Sequence, residues 1–318
     1  MARVLGEGYT ESEAVEYVAG FLDAEGCFSL RLRRKPDYTF GFYFVPIIVA
    51  GNYSKNAIMF INETLNAGYI TWQWINSVNR KIWIWKTEKA EDCIEVASLV
   101  EDKLKIKRRR LHIVREAAEI IFRNKYKIHL QEFLHLLSLY YSINPNKHPE
   151  KKMMKIDEVY KRLGIKETTL FYPSNISMEN NYRLNVNYVA GFFDGEGCFS
   201  IRIKKSNNCR LGVQIYPIIA IGNYDKGIIF SLKDFLGVGH VRCERVGRIK
   251  DKTLWMLMIE NVEDCKRVAE VLDGKLIAKK RDLHLFRDAL QIFEDRRHLT
   301  PEGLSVITEI VNKLHKTS

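Results

Sequence analysis

One stretch of this chain is written twice, and the repetition limits the possible folds more than any other feature. YVAGFLDAEGCFSL begins at Tyr17 and YVAGFFDGEGCFSI at Tyr188, with eleven of fourteen positions identical. The likeness continues at a spacing of 171 residues. Pro46-Ile47-Ile48 meets Pro217-Ile218-Ile219, Gly51-Asn52-Tyr53 meets Gly222-Asn223-Tyr224, and Lys55, Leu65 and Gly68 meet Lys226, Leu236 and Gly239. After one inserted residue, Glu91-Asp92-Cys93 meets Glu263-Asp264-Cys265, Lys103-Leu104 meets Lys275-Leu276, and Leu111-His112 meets Leu283-His284. Collinear matches over about a hundred residues mark a duplicated domain and exclude a solenoid, whose units run to about 20–50 residues.

Each copy shows the same order of patterns. Thr10-Glu11-Ser12-Glu13 is a capping box opening a helix through about Asp23, and Asn185 is the matching cap in the second copy. Gly26 and Gly197 are expected to stop these helices as C-terminal glycines do. Period-2 alternation then predicts four strands per copy. They are FSLRLRR and FSIRIKK, FGFYFVPIIVAG and LGVQIYPIIAIG, YITWQWI and HVRCERV, KIWIW and TLWMLMI. Helical spacing appears in NAIMFINETLN and KGIIFSLKDFL between the second and third strands. It returns after the fourth, in AEDCIEVASLVEDKL and VEDCKRVAEVLDGKL, then in RRRLHIVREAAEIIF and KRDLHLFRDALQIFE. The expected fold is α+β: two tandem pseudo-symmetric αββαββα domains, each with a four-stranded, mostly antiparallel sheet, packed through the two repeated helices. The first domain takes residues 1–141 and the second 184–318. The polar, Pro/Asn-rich stretch 142–183 between them reads as a linker with a short helix near Lys155–Leu163.

The repeated helix carries its own chemistry. Ala19-Gly20 and Ala190-Gly191 are small enough for another backbone to approach, which suits two such helices packed against each other. At their C-terminal ends stand Asp23 and Glu25, and Asp194 and Glu196. The helix dipole makes that a poor place for a carboxylate, and two ends brought together make it worse. Something cationic belongs there, and a hard divalent ion with oxygen ligands is the natural candidate.

Composition agrees with a polyanionic partner. Fifty Lys and Arg against 39 Asp and Glu give a net charge of +11, which favours nucleic acid first and an anionic membrane surface second. No apolar run is long enough to span a membrane, and the N-terminal residues show no signal-peptide core, so neither insertion nor secretion is expected. The six cysteines form no CxxC pair or zinc-finger spacing. Four fall at matching places (Cys27 with Cys198, Cys93 with Cys265), and they read as buried free thiols in a reducing, intracellular compartment.

The repeated segments resemble the LAGLIDADG motif of homing endonucleases, and the chain is similar to the single-chain, two-motif members of that family. The order of elements and the G-N-Y-x-K after the second strand fit as well, so the resemblance spans both halves. It implies that the last acid of each motif, Glu25 and Glu196, is a metal ligand, assisted by the backbone carbonyls of Ala24 and Gly195. Glutamate stands where the family more often has aspartate. Asp23 and Asp194 are expected in helix-end and interface hydrogen bonds, and Tyr17 and Tyr188, at the motif's first place or one before it depending on alignment, in packing. Asn52 and Asn223 resemble the family's polar residue that orients water; a plain asparagine turn is the other reading. An assisting cation near the start of the later helix is sought among Lys105, Lys107 and Lys279: Lys107 aligns with Lys279 and Lys105 with Ile277, while the local pattern KLK favours Lys105 for the family's place. The implied cofactor is Mg²⁺, with Mn²⁺ or Ca²⁺ able to replace it in binding. The implied reaction is hydrolysis of both strands of double-stranded DNA from two adjacent sites facing the minor groove, by a monomer.

Strand alternation sorts the faces. Ser29, Arg31, Arg33 and Lys35 share one side and Phe28, Leu30 and Leu32 the other; the second copy sets Ser200, Arg202 and Lys204 against Phe199, Ile201 and Ile203. The polar face also takes Tyr43, Thr71 and Gln73 in the first copy, and Gln214, Tyr216, His240, Arg242 and Glu244 in the second. Arg, Gln and Glu match guanine, adenine and cytosine edges in a major groove that admits a β-ribbon. The copies share core residues and differ on this face, so the expected target is asymmetric. Trp72, Trp74, Trp83, Trp85 and Trp255 are expected in packing rather than base stacking. Two other functions stay open: an RNA-binding intron maturase, and a DNA-binding regulator without cleavage. Retention of both acids speaks against the regulator, and the absence of flanking splicing segments against an intein.

Overall fold

Both capping signals are realised. Glu13 Oε2 accepts from the Thr10 amide at 3.0 Å, with Thr10 Oγ1 and the Glu13 amide at 3.4 Å in return, and Asn185 Oδ1 accepts from the Tyr188 amide at 2.9 Å. The helices that follow are α1 (Glu11–Glu25) and α6 (Val186–Glu196). The computed structural model describes residues 8–125, 127–143, 182–245 and 253–314, with Lys161 and Gly164. Nearly all of the expected linker, with its short helix, lies outside the described residues.

The first copy continues with β1 (Cys27–Arg34), β2 (Phe42–Asn52), α2 (Lys55–Leu65), β3 (Tyr69–Ile75), β4 (Arg80–Thr87), α3 (Ala90–Val100), α4 (Arg108–Arg123) and α5 (Leu130–Ser142). After α6 the second runs β5 (Gly197–Lys205), β6 (Val213–Asn223), α7 (Lys226–Leu236), β7 (His240–Arg245), β8 (Thr253–Ile259), α8 (Val262–Leu272), α9 (Lys280–Glu294) and α10 (Pro301–Lys313). Two four-stranded sheets result, ordered β1-β2-β4-β3 and β5-β6-β8-β7, with antiparallel neighbours. The α+β class and the repeated αββαββα order stand as expected. Two helices, α5 and α10, extend the copies beyond the expected elements.

By contacts the chain forms two compact units. One holds residues 1–25, 52–60 and 179–318; the other holds 26–51 and 61–178. The first unit contains the second sheet and both repeated helices. Among the described residues α1 and α6 share the most extensive helix contact, and glycine permits it. A Cβ on Gly20 would stand 2.0 Å from the Tyr188 carbonyl oxygen, and one on Gly191 1.9 Å from that of Tyr17. Around α1, Tyr9, Tyr17 and Phe60 pack ring to ring at centroid distances of 5.3–5.6 Å; below α6, Phe199 bridges Phe193 and Phe286 at 4.7 and 5.1 Å. Each such buried ring contributes on the order of 2 kcal/mol.

The second unit contains the first sheet, with α3, α4 and α5. Its core gathers Phe28, Leu30, Trp85, Leu111, Val114 and Phe133, all buried.

Two expectations about glycine and cysteine are corrected. Gly197 does not end α6 with a left-handed turn: its φ of −76° and ψ of 157° are extended, and it already belongs to β5. What requires glycine there is the Phe193 ring, which a Cβ would meet at 2.4 Å. Gly26 likewise is absent from the positive-φ residues. Of the six free cysteines only Cys93 and Cys265 are buried; Cys27 and Cys243 are exposed.

Candidate active site and nucleic-acid interface

The last turn of each repeated helix separates its two acids. Residues two apart lie about 200° apart around a helix, so one side chain is driven into the helix pair while the other faces out. Asp23 and Asp194 are fully buried, and Glu25 and Glu196 are exposed. The buried pair is satisfied crosswise: Tyr17 Oη donates to Asp194 Oδ2 and Tyr188 Oη to Asp23 Oδ2, both at 2.7 Å. The tyrosines therefore pack, as expected, and also hydrogen-bond, which the expectation of packing alone missed. A signal was available, since a phenol at a repeated core position needs a partner.

Asp194 does more than pair with a tyrosine. Its carboxylate also accepts from the amides of Ile277 (2.7 Å), Ala278 (2.9 Å) and Lys279 (2.8 Å), fixing the turn that enters α9. Lys279 is the N-cap of α9 and Lys107 that of α4, with closely similar backbone angles and no side-chain cap bond. A lysine at the positive end of a helix is electrostatically misplaced, and each finds its compensation elsewhere. Lys279 Nζ donates to the Phe193 carbonyl at 3.1 Å and to that of Asp194, at the negative end of α6. Lys107, in the other unit, donates to the Gly26 carbonyl at 2.8 Å. Burial holds the Lys279 ammonium below its ordinary pKa, against the opposing charges of Asp194 and Glu25. Burial raises the Asp194 carboxyl in the same way, against Lys279, Tyr17 and the three amides. Lys105 stands two residues before the cap; its counterpart Ile277 is buried.

Glu25 sits close to the last turn of α6. A Cβ on Gly195 would meet Ala24 Cβ at 2.3 Å and Glu25 Cγ at 3.1 Å, so the two helix ends abut. Asn223 Nδ2 donates to Glu196 Oε1 at 3.2 Å, while its Oδ1 closes a turn on the Asp225 amide at 2.9 Å. Asn52 Oδ1 closes the equivalent turn on Ser54 at 2.8 Å. The turn reading and the site reading of these asparagines are thus compatible, because the turn aims the amide. Among the described residues no three His, Cys, Asp or Glu side chains form a metal cage. Two exposed carboxylates with nearby carbonyls fit a different ion, one that takes water or phosphate oxygens for the rest of its shell, as Mg²⁺ does.

The strand registers define the faces. Arg31 and Arg33 oppose Val45 and Tyr43 on β2, and Thr71 and Gln73 oppose Ile84 and Ile82 on β4. In the second sheet Arg202 opposes Tyr216, Lys204 opposes Gln214, and His240 and Arg242 oppose Met258 and Met256. Arg31, Arg33, Gln73, Arg202, Lys204, Gln214, His240, Arg242 and Glu244 are exposed, and Ser29, Tyr43, Thr71, Ser200 and Tyr216 are half-buried. Arg242 and Glu244 pair with each other at 3.3 Å, and Arg33 with Glu88 at 3.5 Å.

Three placements differ from expectation. Lys35 lies past the end of β1 in a turn, its amide bonded to the Gly41 carbonyl at 2.8 Å and its ammonium 4.2 Å from the Tyr38 ring. Ile203 is 37% exposed at the strand end. Trp72 and Trp74 are 54% and 48% exposed, although they share a face with the fully buried Trp85; Lys81 covers the Trp72 ring at 4.5 Å.

Comparisons with known proteins agree with the repeated motif and the fold. Residues 189–290 match the family model described as LAGLIDADG endonuclease. Among curated relatives, "Probable intron-encoded endonuclease 3" of Neurospora crassa is 27% identical over 133 residues, covering 40% of this chain and 24% of that one. "Homing endonuclease I-ApeII" of Aeropyrum pernix is 29% identical over 133 residues, 41% of this chain and 77% of that one. The chain spans about a quarter of the length of the first two curated relatives it matches. Among solved structures, I-SmaMI bound to uncleaved DNA target with calcium superposes with a TM-score of 0.80 at 21% identity, covering 95% of this chain and 99% of that one. I-LtrWI bound to target DNA gives 0.81 at 20%, with 96% and 99% covered.

Proposed function

We propose that this chain, with both motif copies in place and residues 189–290 matching the LAGLIDADG endonuclease model, is a sequence-specific endonuclease of the intron-homing type that cuts both strands of double-stranded DNA. The observation that carries this reading is the abutment of two helix ends, each presenting one exposed carboxylate, Glu25 and Glu196. A minor groove about 6 Å wide brings two scissile phosphates within reach of two such neighbouring acids.

Each group has a part. Glu25 and Glu196 would hold Mg²⁺ with the carbonyls of Ala24 and Gly195. That ion, when bound, lowers the pKa of water and stabilises a leaving oxygen. Asn223, and by symmetry Asn52, orient a water through the amide that their turns aim. Lys279, with Lys107 as its counterpart, holds positive charge near the phosphate; Lys105 is the weaker assignment because its equivalent is a buried isoleucine. The α1–α6 pair, locked backbone to backbone, fixes the spacing of the acids. Ser29, Arg31, Arg33, Tyr43, Thr71 and Gln73 contact DNA from the first sheet. Ser200, Arg202, Lys204, Gln214, Tyr216, His240, Arg242 and Glu244 do so from the second, and Lys35 reaches the backbone from its turn. The differing residues on the two faces select an asymmetric site. Two motifs in one chain make a second subunit unnecessary, so the protein acts as a monomer. A reducing, intracellular compartment is part of the same reading, and the exposed free thiols of Cys27 and Cys243 are compatible with it.

The test is incubation with a randomised duplex library and Mg²⁺, beside Glu25→Gln and Glu196→Gln, with sequencing of the ends. Defined double-strand cuts in the unaltered protein, reduced to nicks or lost in the variants, are expected. Tight binding without cuts would remove the enzyme reading.

A further inference from the structure

We propose that Tyr17 is a positioning residue for Lys279, so that the first motif helix sets the cation of the second copy's site. The inference rests on the endonuclease reading and adds to it a dependence of one half's chemistry on the other half's tyrosine. Tyr17 and Asp194 are 177 residues apart in sequence and are both fully buried in the α1–α6 interface. The Tyr17 hydroxyl and the amides of Ile277 and Ala278 share one oxygen, Asp194 Oδ2, while the Lys279 amide takes Oδ1. The carboxylate is therefore held from one side by α1 and holds the entry to α9 from the other. Lys279 returns from that entry to place its ammonium on the carbonyls of Phe193 and of Asp194 itself. Without the hydroxyl, nothing from α1 in this set of contacts orients the Asp194 carboxylate, and the turn carrying Lys279 is freed to shift. A buried phenol at this position is more than packing: phenylalanine would fill the same volume, as Phe21 and Phe192 do one turn on.

Tyr188 is an internal control. It is equally buried in the same interface and makes a bond of the same length, but to Asp23 instead of Asp194. Two variants, Tyr17→Phe and Tyr188→Phe, therefore carry the same packing change and differ in the acid they release. The first readout needs no cleavage. Lysine acylation in the free protein, followed by mass spectrometry, reports Lys279 against Lys107. Tyr17→Phe should raise Lys279 labelling several-fold and leave Lys107 unchanged; Tyr188→Phe should leave Lys279 unchanged. The second is strand-resolved cleavage of a target recovered from the library. Tyr17→Phe should slow one strand by about tenfold, the scale of one charge-assisted hydrogen bond, so that a nick in the other strand accumulates. Tyr188→Phe should not reproduce that strand bias. Unchanged Lys279 labelling in Tyr17→Phe, or an equal slowing of both strands by both variants in step with lost thermal stability, would overturn the inference. If the unaltered protein cuts nothing, the endonuclease reading fails while the labelling still decides the link between Tyr17 and Lys279.

Discussion

Replacing Gly20 by alanine puts a carbon 2.0 Å from the Tyr188 carbonyl oxygen, and the obstacle is backbone that cannot rotate away. Gly20→Ala and Gly191→Ala should each cost about 3 kcal/mol or more in denaturant unfolding. Gly274→Ala has open space around it and suffers only from a φ of +69°, so about 1 kcal/mol is expected there. If the three variants proved equal, close approach would not be what the helix pair requires. Glu13 supplies a pH test at the same scale. The Thr10 amide and hydroxyl, with Lys275, lower its carboxyl from 4.5 to about 2. A depressed acid stabilises the fold above its unfolded pKa and loses that contribution as pH falls through the folded value. The difference in melting temperature between the unaltered protein and Glu13→Gln should thus be full above about pH 4.5 and gone near pH 2.

The β3–β4 hairpin shows how an element can be legible while its burial is not. Alternation gives the strands and puts Trp72, Trp74 and Trp85 on one face, yet Trp85 alone is sealed, its indole donating to the Ala67 carbonyl at 2.8 Å. Trp85→Phe should cost about 2 kcal/mol through the lost bond and volume, and Trp72→Phe no more than about 0.5 kcal/mol. Periodicity reports which side a residue faces and not where along the strand the covering helices end, which also explains the exposure of Ile203. Helix α10 is written in the local sequence. Thr300 accepts from the Gly303 amide at 3.1 Å and Pro301 takes the first helical position, a start signal readable in the sequence. Thr300→Ala should lower stability by about 1 kcal/mol. Helix α5 had no such signal, since its N-cap, His129, makes no side-chain cap bond.

For the whole molecule, a charge of +11 means that the DNA binding proposed above should be a salt-dependent equilibrium. The logarithm of the binding constant should fall linearly with that of salt concentration. Arg31→Ala and Arg202→Ala should each reduce the slope by about 1 if those side chains meet phosphate; an unchanged slope would assign them elsewhere. The sequence alone determined the duplication, the element order, the small residues of the helix pair and the repeated acids, because each is recorded in local spacing. Only the tertiary structure decided which acid of each motif is buried and which faces out. Asp23 and Glu25 carry the same charge two residues apart, and the difference comes from the partner helix against which one of them is pressed. The same packing gave Tyr17 its bond to Asp194 across 177 residues and set Lys279 on the end of α6. Such contacts depend on how two distant segments dock, and no periodicity within either segment records that.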